Sequence, residues 1–436
     1  MEFIKKRPEK PNVLNLGINF PQMITIKQNL PRQGLDDVRN EVRRILAESR
    51  LEQKLRPGAK VAITAGSRGI ANIALIIRET VDYLKRLNTK PFVLAAMGSH
   101  GGGTIQGQLK VLADLGITSE SIGAPIMATV ETVITGSFAG IAVHISQLAY
   151  ESDAVILINR VKPHTSFHGP NESGLVKMLA VGLGGPLGAA AIHATGVSAL
   201  SHIIPGVASV MQKHLNIALG LAIIEDAYES TKKIVSVPVE NIASEETILL
   251  QEAYEAMPRL PVNNLDLLIV EEMGKCFSGT GMDTNIIGRM RIQGIPEPPS
   301  PAIKRIVVLN LATASHGNAY GLGLADFTTR QLVNKIDFEV TYLNAVTSTF
   351  VQRAMIPMTL PTEKAAIEAA VNSLGIKEIS QIRIARLRNT LHITELQVSE
   401  NLLEEISSTL SIDIMGLPNP LQFNSNGNLY PFLDTV

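Results

Sequence analysis

Lys60-Val-Ala-Ile-Thr64, running into Ala65-Gly66-Ser67-Arg68-Gly69, is the stretch that decides how this chain folds. An apolar and β-branched run, entered after Pro57-Gly58 and left through a glycine turn, reads as a strand buried on both faces. The figure repeats. Pro91 to Met97 is a second buried strand, followed by Gly98-Ser99-His100-Gly101-Gly102-Gly103, and Asp153 to Asn159 is a third, followed by Arg160-Val-Lys162-Pro163-His164-Thr-Ser-Phe-His168. Between the first two strands, Ile70 to Leu87 carries apolar residues at helical spacing, and Thr104 to Leu115 follows the second as another helix. Short apolar strands alternating with helices signify a parallel sheet covered on both faces.

Outward from this core, strands are expected at Ala218 to Ile224, Leu265 to Glu271 and Arg305 to Leu311. Helices are expected at Leu35 to Leu51, Ser244 to Ala256, Thr328 to Lys335, Asn344 to Arg353 and Thr362 to Leu374. Pro and Asn cluster between Pro258 and Asn264, just before a second alternating unit, and mark a domain boundary. From Met178 to Leu200 the only ionisable residue is His193, and the run is long enough to span a bilayer. Its Gly and Ala content, the Gly184-Gly185-Pro186 break and the lack of basic flanks or aromatic belts argue instead for two buried helices joined by a glycine turn.

Composition excludes several classes. The 436 residues are 45% hydrophobic and 18% charged, which rules out a disordered or coiled-coil protein. Lys plus Arg total 39 against 40 Asp plus Glu, so no net field draws the chain to nucleic acid or to an anionic membrane. Aromatic residues make up 4% and Trp is absent, which argues against a base-stacking groove. The lone Cys276 cannot form an internal disulfide, and the N-terminal Met1-Glu-Phe-Ile-Lys-Lys-Arg has no apolar signal core, so a reducing cytoplasm is the expected compartment.

Ligands of open parallel sheets bind where the strand-end loops converge. Glycine turns let backbone N–H groups approach a phosphate, and Arg68 adds a bidentate charge. His100, His164 and His168 sit at expected strand ends, where an imidazole can act as acid or base near neutral pH. By contrast His144 falls in a strand-like segment, His202 and His214 on a helix and His392 in a strand, and these read as structural. His193, in its apolar run, needs a partner to offset desolvation, and either a metal or a backbone hydrogen bond would serve. Lys177, in Gly174-Leu-Val-Lys177-Met-Leu-Ala-Val, has no carboxylate at i+3 or i+4. It either snorkels to solvent or is buried and nucleophilic.

As an ordered set, these pieces resemble the nickel-pincer lactate racemase family. Ser67-Arg68 resembles that family's Thr-Arg, Gly98-Ser99-His100 its Gly-Thr-His, and Lys162-Pro163-His164 its Glu-Pro-His, while Lys177 and His193, 16 residues apart, match its lysine-to-histidine spacing. The resemblance implies that Ser67, Arg68, Gly98, Ser99 and Lys177 bind a nickel-pincer nucleotide (nickel pyridinium-3,5-bisthiocarboxylic acid mononucleotide), with Lys177 its covalent anchor. It implies His193 as the nickel ligand and His100 and His164 as acid and base. Arg68 would hold a substrate carboxylate or the cofactor phosphate.

Two departures qualify the likeness. The 13-residue gap from His164 to Lys177 is long and holds His168, an alternative base. Where the family has Asp-x-Asn-Leu-Tyr-Gln-x-x-Lys, this chain has Asp283-Thr-Asn285-Ile-Ile-Gly288-Arg289-Met-Arg291, so Arg289 and Arg291 are expected to grip a 2-hydroxy acid larger or more polar than lactate.

The expected whole is a two-domain α/β protein, each domain a largely parallel sheet flanked by helices, with its site in the interdomain cleft. Residues 1–262 would bind cofactor, 263–398 would cap the substrate, and 399–436 would pack back on the first domain. The expected activity is that of a racemase or epimerase of a 2-hydroxy acid, served by cofactor-synthesis enzymes and able to form a homodimer. The competing readings are a zinc-dependent hydrolase or lyase using His100, His164 and His168, and a non-catalytic nucleotide-binding sensor.

Overall fold

The computed structural model describes residues 17–376 and 378–431. The chain divides into two compact α/β units. One is Pro31–Met257, and the other is drawn from the described parts of Met1–Leu30 and Pro258–Val436.

The Pro31–Met257 unit is built on a six-stranded sheet of β1 (Lys60–Ala65), β2 (Lys90–Ala95), β3 (Ile126–Met127), β4 (Ala154–Arg160), β5 (Ile217–Glu225) and β6 (Thr231–Val237). Their order is β3-β2-β1-β4-β5-β6, parallel throughout except for the antiparallel β6. Side chains alternate across the sheet as the strand period requires. Val61, Ile63, Ile156 and Ile158 enter one layer with the helices Val38–Glu48 and Ile73–Arg86. Ala62, Val155 and Leu157 enter the opposite layer with Val197–Gln212 and Ile242–Ala256. Each large apolar side chain so buried contributes about 1.5–3 kcal/mol relative to exposure. After β1 the chain turns toward β2, and after β4 toward β5, so the topological switch falls between the adjacent strands β1 and β4.

The second unit carries an eight-stranded sheet in the order Met358–Leu360, Phe327–Thr329, Ala302–Leu311, Asn264–Met273, Ile384–Leu387, Glu395–Ser399, Gln22–Gln28, Ile412–Pro420. The first five strands are parallel and the last three run antiparallel to their neighbours. This corrects the division expected from sequence. Gln22–Gln28 pairs with both Glu395–Ser399 and Ile412–Pro420, so the N-terminal strand and the tail from residue 399 complete the second unit's sheet. Residues 432–436 of that tail lie outside the described residues.

Local differences have local causes. The expected helix Asn344–Arg353 is Phe338–Ser348, opened by the Asp337 side chain accepting from Val340 N–H and closed where Thr349 turns left-handed at φ 67°. Thr328 lies in a strand and only Arg330–Val333 is helical, capped by Thr329. His392 falls in the turn before Glu395–Ser399 and His214 just past the end of its helix.

Among the described residues no single helix is long and apolar enough to cross a membrane. The Gly/Ala-rich run forms two helical segments, Leu175–Gly182 and Gly185–His193, bent by 105°. Gly185 at φ +62° makes the bend, and Pro186 starts the second segment where its missing N–H costs nothing.

Candidate functional site

The three loops singled out from sequence leave β2, β1 and β4, neighbours in the sheet, at their carboxyl ends. A doubly wound sheet opens its crevice at the switch point, here between the Gly66–Gly69 turn after β1 and the long loop after β4. That long loop is closed at its base by a two-way bridge, Lys162 N–H to Ser173 O at 2.8 Å and Ser173 N–H to Lys162 O at 3.2 Å. Asn159, on β4, donates to Gly174 O at 2.7 Å and so fixes where the next helix begins.

Lys177 lies in the first turn of that helix, which continues as a π-helical turn over Met178–Gly182. Glycines let the neighbouring loops close on it. A Cβ at Gly98, itself at φ +58°, would stand 3.1 Å from Val181 O, and one at Gly66 would stand 3.2 Å from Met178 Cε. Glu246, a buried carboxyl on Ile242–Ala256, accepts from Val176 N–H at 2.9 Å and occupies the space a side chain at Gly174 would need. Desolvation pushes Glu246 up to about 7 against the lowering effect of its hydrogen bonds to Val176, Leu175 and Asn171.

A straight helix would separate residues 16 apart by about 24 Å, far beyond the roughly 8 Å over which charge acts in physiological salt. The bend returns His193 to the neighbourhood of Lys177. Burial, then the Arg68 charge, push the Lys177 amine down to about 7, with Glu172 pulling the other way. Burial, then the Lys177 charge, push His193 down to about 4. At neutral pH the site therefore holds a neutral imidazole beside an amine that is substantially unprotonated.

Arg68 keeps an exposed edge, while desolvation of its head group and the Arg160 charge hold its guanidinium below the usual arginine range. Arg160 is ion-paired with Glu225, which also accepts from Ala71 N–H at 2.7 Å. Arg68 and Lys177 have neither a hydrogen bond nor an ion pair among the described residues. The Arg68 guanidinium beside that amine offers an anion a binding site.

The histidines are held differently from one another. His100 is exposed at its loop tip, with Nδ1 hydrogen-bonded to Ser67 Oγ, which joins the loops after β1 and β2. His164 Nδ1 accepts from Ser166 N–H at 3.1 Å, and its ring lies 4.5 Å from that of Phe167. His168 Nδ1 faces Glu172, 3.2 and 3.3 Å from the two carboxylate oxygens, and lies 2.8 Å from Tyr254 Oη. The i, i+4 spacing of His164 and His168 is loop spacing, as Pro163 and Gly169-Pro170 had implied.

Sequence reasoning missed Glu172, which organises this loop. Buried at 1% exposure, it accepts from His164 N–H at 2.6 Å, Gly169 N–H at 3.1 Å and Tyr254 O–H at 2.9 Å. The signal was present as a carboxylate four residues after His168. Among the described residues no group of three or more His, Cys, Asp or Glu side chains is placed to hold a metal ion. His100, His164 and His168 therefore do not form the zinc site of the hydrolase reading.

Arg289 and Arg291 also require correction. Arg289 donates to Asp326 Oδ2 at 2.7 Å, Leu324 O at 3.0 Å and Ile303 O at 2.8 Å. Arg291 pairs with the same carboxylate and donates to Gly323 O at 2.9 Å. Both brace the second unit's own loops around Asp326. Gly288 ends the Thr284–Ile287 turn at φ +58°, where a Cβ would stand 1.9 Å from Pro301 O. The glycine serves backbone approach, so the case for a larger or more polar substrate falls.

The family described as a domain of unknown function (DUF362) matches residues 64–253, a span that holds Ser67, Arg68, His100, His164, Lys177 and His193. A comparison with the curated proteins finds no match. Among solved structures the chain is similar to the lactate racemase apoprotein from Thermoanaerobacterium thermosaccharolyticum, at 14% identity and a TM-score of 0.49 over 85% of this chain and 98% of that one. It is also similar to a protein from Thermotoga maritima, at 13% identity and a TM-score of 0.47 over 78% of this chain and 84% of that one.

Proposed function

We propose that the chain is an enzyme that racemises or epimerises a 2-hydroxy acid, with a nickel-pincer nucleotide anchored on Lys177 and its nickel ligated by His193. The observation that carries this reading is the approach of Lys177 and His193 across the 105° bend, with burial shifting each group toward its neutral form. A neutral amine forms a covalent amide-type link, and a neutral imidazole is a nickel ligand. Among the described residues no three such side chains (His, Cys, Asp or Glu) converge on a metal, so a nickel held by His193 would take its other ligands from the organic group. When bound, that nucleotide would supply a hydride-accepting carbon beside a soft metal.

The chain's own residues do the rest. Arg68, with no hydrogen-bond or ion-pair partner among the described residues, binds a carboxylate or phosphate next to Lys177. Ser67 orients His100 through Nδ1, and the imidazole exchanges a proton with a hydroxyl. The loop after β4 supplies the second imidazole. Inversion at carbon needs proton handling on both faces of the substrate, hence two histidines from two loops.

The test is intact mass, metal content and turnover of protein made alongside the cofactor-synthesis enzymes. Nickel, an added covalent mass on Lys177 and interconversion of the enantiomers of a 2-hydroxy acid are expected. Zinc with an unmodified Lys177 overturns the reading. Adduct and nickel without turnover across a panel of hydroxy acids would favour the sensor.

A further inference from the structure

We infer that His168, held by Glu172 and Tyr254, is a proton acceptor at Nε2, and that His164, from the same loop, presents a proton donor. The argument is one of hydrogen counting. The Glu172 carboxylate accepts from the main-chain N–H groups of His164 and Gly169, and the single Tyr254 hydroxyl hydrogen goes to its Oε1, 2.9 Å away. Tyr254 Oη then has only lone pairs to offer His168 Nδ1 at 2.8 Å. With that oxygen and both carboxylate oxygens around it, Nδ1 must carry the ring proton. An unprotonated Nδ1 would set lone pair against lone pair at three contacts.

In neutral His168 the free lone pair is therefore on Nε2. That atom has no hydrogen-bond partner among the described residues, and the side chain is 43% exposed. His164 has the opposite assignment. Its Nδ1 accepts from Ser166 N–H, so its neutral ring carries the proton on Nε2. A single buried carboxylate, 1% exposed, sets both, since Glu172 also anchors His164 through its main-chain N–H.

Chemically, a hydroxyl O–H gives its proton to His168 Nε2, leaving an oxyanion and an imidazolium. The new positive charge is met by Glu172 through Nδ1–H, and the reverse transfer restores both groups. Glu172 and Tyr254 act as positioning residues. The hydroxyl belongs to a 2-hydroxy acid only if the reading above holds; the tautomers stand without it.

The experiment is a long-range proton–nitrogen correlation spectrum of the full chain, with histidine nitrogens labelled, in the unloaded protein at mildly alkaline pH. His168→Gln and His164→Gln assign the signals. His168 should show a protonated Nδ1 and a bare Nε2, and His164 the reverse. Tyr254→Phe should keep the His168 pattern, because the carboxylate remains, and Glu172→Ala should lose it. If Glu172→Ala does not fold, the wild-type and Tyr254→Phe spectra decide alone. A wild-type His168 protonated at Nε2 overturns the inference. This result is independent of nickel content and of the mass on Lys177, so it fails or succeeds separately from the enzyme reading.

Discussion

Replacing Glu246 by Gln tests the architecture under Lys177, because Glu246 caps the turn that carries it. The carboxyl is 1% exposed, accepts from Val176 N–H at 2.9 Å, and its Oε1 has no hydrogen-bond partner among the described residues. A helix N-terminus favours the carboxylate, but desolvation prevails and raises the group from 4.5 to about 7. The sign follows from linkage: a folded value above the unfolded one means that stability is fully present below 4.5 and is lost as pH rises through about 7. At about 1.4 kcal/mol for each tenfold change, the gap is worth on the order of 3 kcal/mol. Gln keeps the acceptor and cannot ionise. In urea titrations followed by circular dichroism, as the chain lacks Trp, Glu246→Gln should be neutral or mildly destabilising near pH 5. Near pH 8 it should gain roughly 2–3 kcal/mol relative to wild type. An equal difference at the two pH values would refute the reasoning. Gly174→Ala should displace the same carboxyl, since its Cβ would stand 2.2 Å from Glu246 Oε2.

Lys177→Ala should abolish the covalent adduct in protein made with the cofactor-synthesis enzymes; an adduct retained in the intact mass would exclude Lys177 as the anchor. His193→Ala should lower nickel relative to the organic adduct, and unchanged stoichiometry by metal analysis would make His193 a packing residue. Arg289→Ala leaves Asp326 short of a partner and should destabilise the protein by about 3 kcal/mol, read as a lowered unfolding midpoint. An unchanged midpoint with altered substrate preference would restore the substrate-binding role. Gly288→Ala should destabilise by at least about 1 kcal/mol, the left-handed conformation alone costing that much before the Pro301 contact, and wild-type stability would contradict that geometry.

The β1, β2 and β4 strands and the helices Ile73–Arg86 and Ile105–Asp114 were legible because buried parallel strands and amphipathic helices each impose their own period on a short stretch. The partnership of Gln22–Gln28 with Ile412–Pro420 was not, since pairing across nearly the whole chain leaves no local period to read. In the site, loop chemistry marked Ser67, Arg68, His100, His164 and His168, but a loop's hydrogen bonds depend on its closure. The Lys162–Ser173 bridge is what turns Glu172 inward, onto His164 N–H and Gly169 N–H. The same limit explains Arg289 and Arg291: a guanidinium that grips a substrate and one that grips Asp326 are the same letter, and only the fold says which carboxylate it meets. Lys177 presents the converse case. A search at i+3 and i+4 looks for carboxylates along a helix, whereas the groups that act on Lys177 come from the loop before it, Glu172, and from the turn after β1, Arg68. An attracting and a repelling charge from two separate loops leave burial to decide the outcome, and burial favours the free amine.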